Sequence, residues 1–382
     1  MKAGESYLLR KGRRGREEEG KSRHLSCESS SGGGKAGAAE RGSGLQDDAR
    51  SELRDHSRAT RADAARAEQA APLVSVVVPA YDCAAFISET LDSVFAQTLT
   101  DFEVVVVNDG SPDTEELERA LAPYLARVNY VRQENRGAGA ARNRGIREAR
   151  GEFVAFLDGD DAWTAPYLER QLKFIEEGGY DLAYADALLF GDSPDAGKTY
   201  MQTAPSEGPV TFLSLIRGEC NVITSGVVAR RQLVVEAGAF DESLRNSQDF
   251  ELWARLARGG ARIGYQREVL LRYRCREGSL SGDTMNRLAR EVRVFRWIAD
   301  RYDLTQQERA ELSTAIERQQ AAIQLEEGKA RLLGGRFEEA RASFESARRV
   351  LGGWKLGAAL LLLRVWPRLL LRLVRARLRT QA

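Results

Sequence analysis

An apolar run that stops in three carboxylates, Phe153-Val154-Ala155-Phe156-Leu157-Asp158-Gly159-Asp160-Asp161, constrains the fold of this chain more than any other stretch. Consecutive apolar residues without polar alternation predict a strand covered on both faces, which requires a sheet between helix layers. Three acids around one glycine repel one another unless a cation or hydrogen-bond donors offset them. Crevices beyond strand C-termini are where open α/β sheets take ligands. The stretch therefore reads as a site for a divalent cation and a nucleotide. The bland alternative is a surface turn whose Asp caps a helix beginning near Ala165.

The segments before it repeat one pattern. Val74-Ser75-Val76-Val77-Val78-Pro79 reads as a buried strand, followed by helical spacing of Phe86, Ile87, Leu91, Val94 and Phe95 over residues 84–97. Phe102-Glu103-Val104-Val105-Val106-Val107 is a second strand, leading into Asn108-Asp109-Gly110-Ser111 and a helix over 112–125. A short strand over 129–132 and a Gly-rich helix start at Gly137 complete the series before Phe153. Strands alternating with helices predict parallel β-α units and a doubly wound, mostly parallel α/β sheet. Further on, residues 262–265 and 269–274 read as two closing strands, and everything from Met285 onward as helix.

Composition limits the chemistry. The chain has 382 residues with 57 basic and 56 acidic side chains, a formal charge of +1 that gives no global pull toward nucleic acid. Cys27, Cys83, Cys220 and Cys275 lie far apart with no C-x-x-C, which argues against a disulfide framework or structural zinc and for a reducing, cytoplasmic setting. Both histidines, His24 and His56, fall in the polar N-terminal segment. Histidine-dependent triads are thereby excluded from the apparent folded part, and chemistry rests on carboxylates, hydroxyls, Lys or Arg.

Each strand end carries a polar group where nucleotide chemistry needs one: Asp82 after the first, Asp109 after the second, and the Gly137-Ala138-Gly139-Ala140-Ala141-Arg142-Asn143 segment after the third. Backbone N–H groups at a Gly-rich helix start hold diphosphates, and Arg142 or Arg144 adds charge. A dinucleotide-fold reading competes, because Asp158 lies about twenty residues beyond the glycines. Against it, Arg142 stands at the third small position and the turn follows the third strand, not the first.

With those residues in hand, Val74–Asp82 (VSVVVPAYD), Val104–Asp113 (VVVVNDGSPD), Glu134–Gly145 (ENRGAGAARNRG) and Phe153–Asp161 resemble, in this order, glycosyltransferase family 2, over roughly residues 72–285. The resemblance implies the GT-A fold and inverting sugar transfer from a nucleoside-diphosphate sugar to a hydroxyl of a glycan or lipid-linked acceptor. It implies that Pro79, Tyr81, Asp82 and Asp109 line the nucleoside pocket, that Gly137, Arg142, Asp158 and Gly159 handle diphosphate and ribose, and that Asp160 ligates Mg2+ or Mn2+. Such hard cations need only one or two carboxylates plus phosphate oxygens.

In Asn246-Ser247-Gln248-Asp249-Phe250-Glu251-Leu252-Trp253 the sequence resembles the family's acidic motif ending in Trp, which makes Asp249 the general base and Trp253 an acceptor-side wall. Gln248 stands at a position often acidic in relatives. In the loop after the closing strands Arg276 stands where many relatives carry His; a guanidinium cannot ligate a metal, so a direct phosphate contact is expected instead. Leu213 to Gly226, with Asn221, falls where relatives place acceptor residues, and Asp186 ends an apolar run without an assignable role.

The expected organisation is a disordered tail over 1–71, a catalytic domain over 72–285, a helical extension over 286–352 resembling one tetratricopeptide hairpin, and a tail helix over 353–382. Arg364, Arg368, Arg372, Arg375 and Arg379 recur every three or four residues on that last helix. Its apolar run is too short to span a bilayer, which predicts a peripheral helix on an anionic membrane surface, bent at Pro367; docking on protein is the alternative. Two other function classes compete with transfer of a sugar. A nucleotidyltransferase needs Lys or Arg near Pro79-Ala80-Tyr81-Asp82, which is poor in both, and a silent binding protein would fail to bind nucleoside diphosphates.

Overall fold

The Val-rich run becomes β1 (Val74–Ala80) in a computed structural model of the protein, which describes residues 71–276 and 284–380. The expected disordered tail up to residue 70, with His24, His56 and Cys27, lies outside the described residues, as do loop residues 277–283 and the side chain of Arg379.

Parallel pairing joins β1 to β2 (Phe102–Asp109) and to β4 (Phe153–Phe156), and β2 to β3 (Val128–Gln133). Val76, Val77, Val104 and Val106 have essentially no exposed surface because helices cover both faces of these strands. One such helix, Ala138–Glu148, lies against β1 closely enough that a Cβ on Gly145 would meet Val77 Cγ1 at 2.2 Å.

Beyond β4 the sheet departs from the doubly wound expectation. Its eight strands run in the order β3-β2-β1-β4-β7-β6-β8-β5, where β5 is Ala162–Trp163, β6 Leu182–Gly191, β7 Val227–Arg230 and β8 Ile263–Cys275. β7 is antiparallel to both β4 and β6, whereas β6 and β8 are parallel. The chain reaches β7 through an irregular excursion over 192–226 instead of a helical crossover, so the right-handed parallel rule does not apply there. The two closing strands expected over 262–274 are one strand, β8, whose pairing with β6 shifts register around Asp186. That irregularity hid the continuity in the sequence, and it explains Asp186, whose carboxylate accepts from the N–H groups of Ala187 and Met201.

Helices Thr284–Arg301 and Gln306–Leu333 do not form a core of their own at their start. Val294, Phe295, Ile298, Leu312 and Ala315 belong to the same buried cluster as the sheet. A second cluster begins at Leu332 with Ala340 and Phe344, where Gln306–Leu333 turns at Gly334-Gly335 into Phe337–Leu351. The tail is two helices, Trp354–Val365 and Pro367–Thr380, separated at Trp366 as Pro367 requires. Leu363 and Leu370 dock onto the hairpin, and Arg375 donates to the Leu333 carbonyl at 3.1 Å.

Candidate functional site

The C-terminal ends of β1, β2 and β4 open on a cavity of about 990 Å³. The site residues that the resemblance implied line it: Pro79, Tyr81, Asp82, Asp109, Gly137, Arg142, Asp158, Gly159, Asp160, Asp249 and Arg276. Arg144 does not; it pairs with Glu148 on its own helix, so of the two candidate cations Arg142 is the one at the site.

Asp109 ends β2 nearly fully buried. Its Oδ1 accepts from Gln133 Nε2 at 2.8 Å and the Arg136 N–H at 3.0 Å, and Oδ2 from the Gly137 N–H at 2.8 Å. The carboxylate thus fixes the turn from β3 into the Gly-rich helix. Gly137 sits there at φ 91°, a conformation that glycine adopts without cost. Asp82, after β1, is held in the left-handed region at φ 51°, its N–H donating to Ser111 Oγ at 2.7 Å.

After β4 the three acids separate into different roles. Asp158 pairs with Arg142 at 2.5 Å, and its N–H donates to Ser225 Oγ. Arg142 is only 6% exposed, so this pair is a buried one. Asp160 faces Arg276, whose Nε lies 3.0 Å from Oδ2 without the alignment of a hydrogen bond, while Arg276 Nη1 donates to the Asp82 carbonyl at 2.9 Å. Arg276 therefore engages Asp82 and Asp160 of the site at once. Asp161 turns into the core instead of joining the cation group: it is 2% exposed and accepts from the Arg274 N–H at 2.8 Å. Burial, then the Asp160 and Asp158 charges, hold Asp161 well above the usual carboxylate range. Burial and the Asp158 charge also push Asp160 up, against Arg276, which lowers it. Burial pushes the neighbouring Cys83 thiol up to about 12, so it is no nucleophile.

Asp249 enters from the first turn of helix Gln248–Arg258, preceded by Ser247 at φ 60°. Its Oδ2 accepts from Thr224 Oγ1 at 3.1 Å and its Oδ1 from the Phe250 N–H at 2.8 Å, so each oxygen keeps a second lone pair. The guanidinium of Arg142 feels both Asp158 and Asp249, so the base and the strand-end acids share one electrostatic environment. Trp253 lines the cavity while only 1% exposed, and packs edge-on to Phe240, supporting the wall from beneath. Tyr200, which sequence reasoning missed, stands near Asp249, its hydroxyl pushed up to about 12 by burial and by that charge. The helices Thr284–Arg301 and Gln306–Leu333 were missed too; Arg287, Phe295, Thr314 and Arg318 wall the end beyond Asp249. No sequence motif marks them, because only packing brings those helices back over the sheet.

Five of the eight buried polar atoms without a hydrogen-bond partner among the described residues belong to this lining: Arg142 Nε, Asp161 Oδ2, Gln248 Oε1, Trp253 Nε1 and Arg276 Nε. Unsatisfied groups concentrated in one cavity mark a place built to receive polar atoms from outside the chain. For a divalent cation, no group of three or more His, Cys, Asp or Glu side chains is arranged as a cage among the described residues. The donor set nevertheless fits Mg2+ or Mn2+ shared with phosphate, which needs only one or two hard carboxylates such as Asp160 and Asp158.

Known proteins resemble this chain in sequence and fold. The glycosyl transferase family 2 profile matches residues 75–233. An uncharacterized glycosyltransferase of Rickettsia typhi is 30% identical over 227 residues, 57% of this chain and 68% of that protein. Another, of Rickettsia felis, is 30% identical over 248 residues, 62% of this chain but 39% of its own length, so the chain spans well under half of that relative. A mannosyltransferase of Pyrobaculum calidifontis, solved in complex with GDP-Man and Mn2+, superposes with a TM-score of 0.53 at 20% identity, covering 82% of this chain and 86% of that one. The fold is the GT-A fold, with a helical C-terminal region, and the chain belongs to glycosyltransferase family 2.

Proposed function

We propose that the protein transfers a sugar, with inversion, from a nucleoside-diphosphate sugar to a hydroxyl of a glycan or lipid-linked acceptor. The observation that carries this is the convergence of Asp109, Asp158, Asp160 and Asp249 on one cavity, from three separate parts of the chain. Asp249 takes the proton of the acceptor hydroxyl as its oxygen bonds to the anomeric carbon, and the bond from that carbon to the diphosphate oxygen breaks with its electron pair. Arg142 lies where it helps hold the departing diphosphate. Mg2+ or Mn2+ held at Asp160 would supply Lewis-acid stabilisation of that leaving group. A donor panel scored by released nucleoside diphosphate tests the reading; no release from any donor, with or without metal, overturns it.

Arg276 bears on the metal independently of turnover. While its guanidinium holds Asp160, a cation must displace it, so Arg276→Ala should tighten Mn2+ binding to the nucleotide-free protein by about tenfold. Paramagnetic resonance of free Mn2+ reads this directly, and equal affinities would remove Asp160 as the metal ligand.

The same reading sets the protein against an anionic membrane surface through its tail. One apolar face is spent on the hairpin, yet Trp354, Leu361, Trp366 and Leu373 remain more than half exposed. Residues 353–382 carry seven basic and no acidic side chains. No helix among the described residues is long and apolar enough to cross a membrane. A surface of this composition suits an interfacial helix pair. Deleting the tail would uncover the hairpin core, so the cleaner variant is Trp354→Ser with Trp366→Ser. Sedimentation with phosphatidylserine vesicles should drop several-fold in it, and unchanged sedimentation would refute the surface.

A further inference from the structure

The end of the cavity beyond Asp249 has a charge imbalance that the donor site does not explain. Apart from the strand-end residues and Asp249, the lining there holds Arg217, Arg245, Arg287, Arg290 and Arg318 against Glu291 and Glu311. Each of those acids is matched by one arginine, Glu311 by Arg217 at 2.5 Å and Glu291 by Arg287 at 2.6 Å. Neither Arg245 nor Arg318 makes a direct ion pair with a carboxylate among the described residues, although Glu311 feels the Arg318 charge beside that of Arg217, and both side chains are exposed. They come from different parts of the chain, Arg245 from the loop before the base and Arg318 from helix Gln306–Leu333, and they face one space.

Exposed arginines are ordinary on a convex surface, where water screens them. Inside a concave wall the field of several like charges adds, and it reaches about 8 Å at physiological salt. The planar guanidinium matches phosphate and carboxylate oxygens two at a time. A neutral sugar chain is held differently, mainly by exposed rings. Of the rings that line the cavity, Tyr81 alone is exposed, while Tyr200, Phe250 and Tyr273 are half-buried.

We infer that the acceptor is anionic, a glycan or polyol chain whose phosphate or carboxylate groups are held by Arg245 and Arg318, with Arg287 and Arg290 beside them, while one hydroxyl faces Asp249. The inference rests on the transferase reading and names its acceptor class. The helical extension then has a function in the reaction: it supplies most of the cationic wall against which the acceptor lies.

The test uses the full chain with a nucleoside diphosphate and Mn2+. Fluorescence anisotropy compares three labelled oligomers of equal length: a phosphodiester-linked polyol, a polyuronate and a neutral oligosaccharide. At least one anionic oligomer should bind about tenfold or more tightly than the neutral one, and weaken as salt rises from about 50 to 300 mM. The double variant Arg245→Glu, Arg318→Glu should lose about tenfold or more of that affinity, with nucleoside diphosphate affinity within about twofold of wild type. The polyol and polyuronate arms separate phosphate from carboxylate. Equal or tighter binding of the neutral oligomer overturns the inference. So does an anionic oligomer that binds the double variant as it binds wild type, which would assign the attraction to the basic tail. If the wild-type chain binds no nucleoside diphosphate at all, the transferase reading falls and the inference with it.

Discussion

Replacing Asp249 with Asn is expected to lower sugar transfer by about 10²–10⁴-fold, the range that a positioned general base contributes. Asn keeps the size of the side chain and one acceptor for the two hydrogen bonds that Asp249 now takes, from Thr224 Oγ1 at 3.1 Å and the Phe250 N–H at 2.8 Å, but cannot take the acceptor proton. Donor affinity should change little, because the strand-end acids and Arg142 are untouched. The discriminating measurement is kcat set against the Kd for nucleoside diphosphate. A variant with full kcat would remove Asp249 from the reaction, and a variant that loses both kcat and donor binding would show that the residue acts through the shape of the cavity.

Asp109→Ala should cost stability as well as donor binding. The carboxylate accepts three hydrogen bonds, two of them from backbone N–H groups of the turn at Arg136 and Gly137. Removing it strands those donors, at about 1–3 kcal/mol for each one that water does not reach. Arg136 is exposed, so its N–H is more readily rehydrated, and a total of about 2–4 kcal/mol is the reasonable expectation. Urea denaturation measures it, alongside calorimetric titration with nucleoside diphosphates. Unchanged stability would mean that the turn holds its form without the acid, which would leave Asp109 a ligand contact alone.

The expectations that succeeded in the sequence are those written in local chemistry. Val74 to Val78 and Val104 to Val107 are apolar on both faces, and a strand of that kind has to be covered on both sides, so the parallel half of the sheet was legible. The acids at strand ends were legible as well, because like charges around Gly159 have no cheap explanation other than a ligand or compensating donors. The division of labour among them was not. Asp160 meets Arg276 and Asp161 meets the Arg274 N–H. The spacing of Asp158, Asp160 and Asp161 does not say which carboxylate turns inward, since that depends on where β8 passes.

Sequence by itself determined that this chain builds an α/β sheet whose strands end in carboxylates, because strand burial and charge crowding act between neighbours along the chain. The tertiary structure alone decided the reversal at β7, the inward turn of Asp161 and the arginine wall contributed by helices more than a hundred residues beyond Asp160. Those features arise from contacts between segments far apart in the chain, and a side chain's partner across such a distance leaves no periodicity or spacing to read.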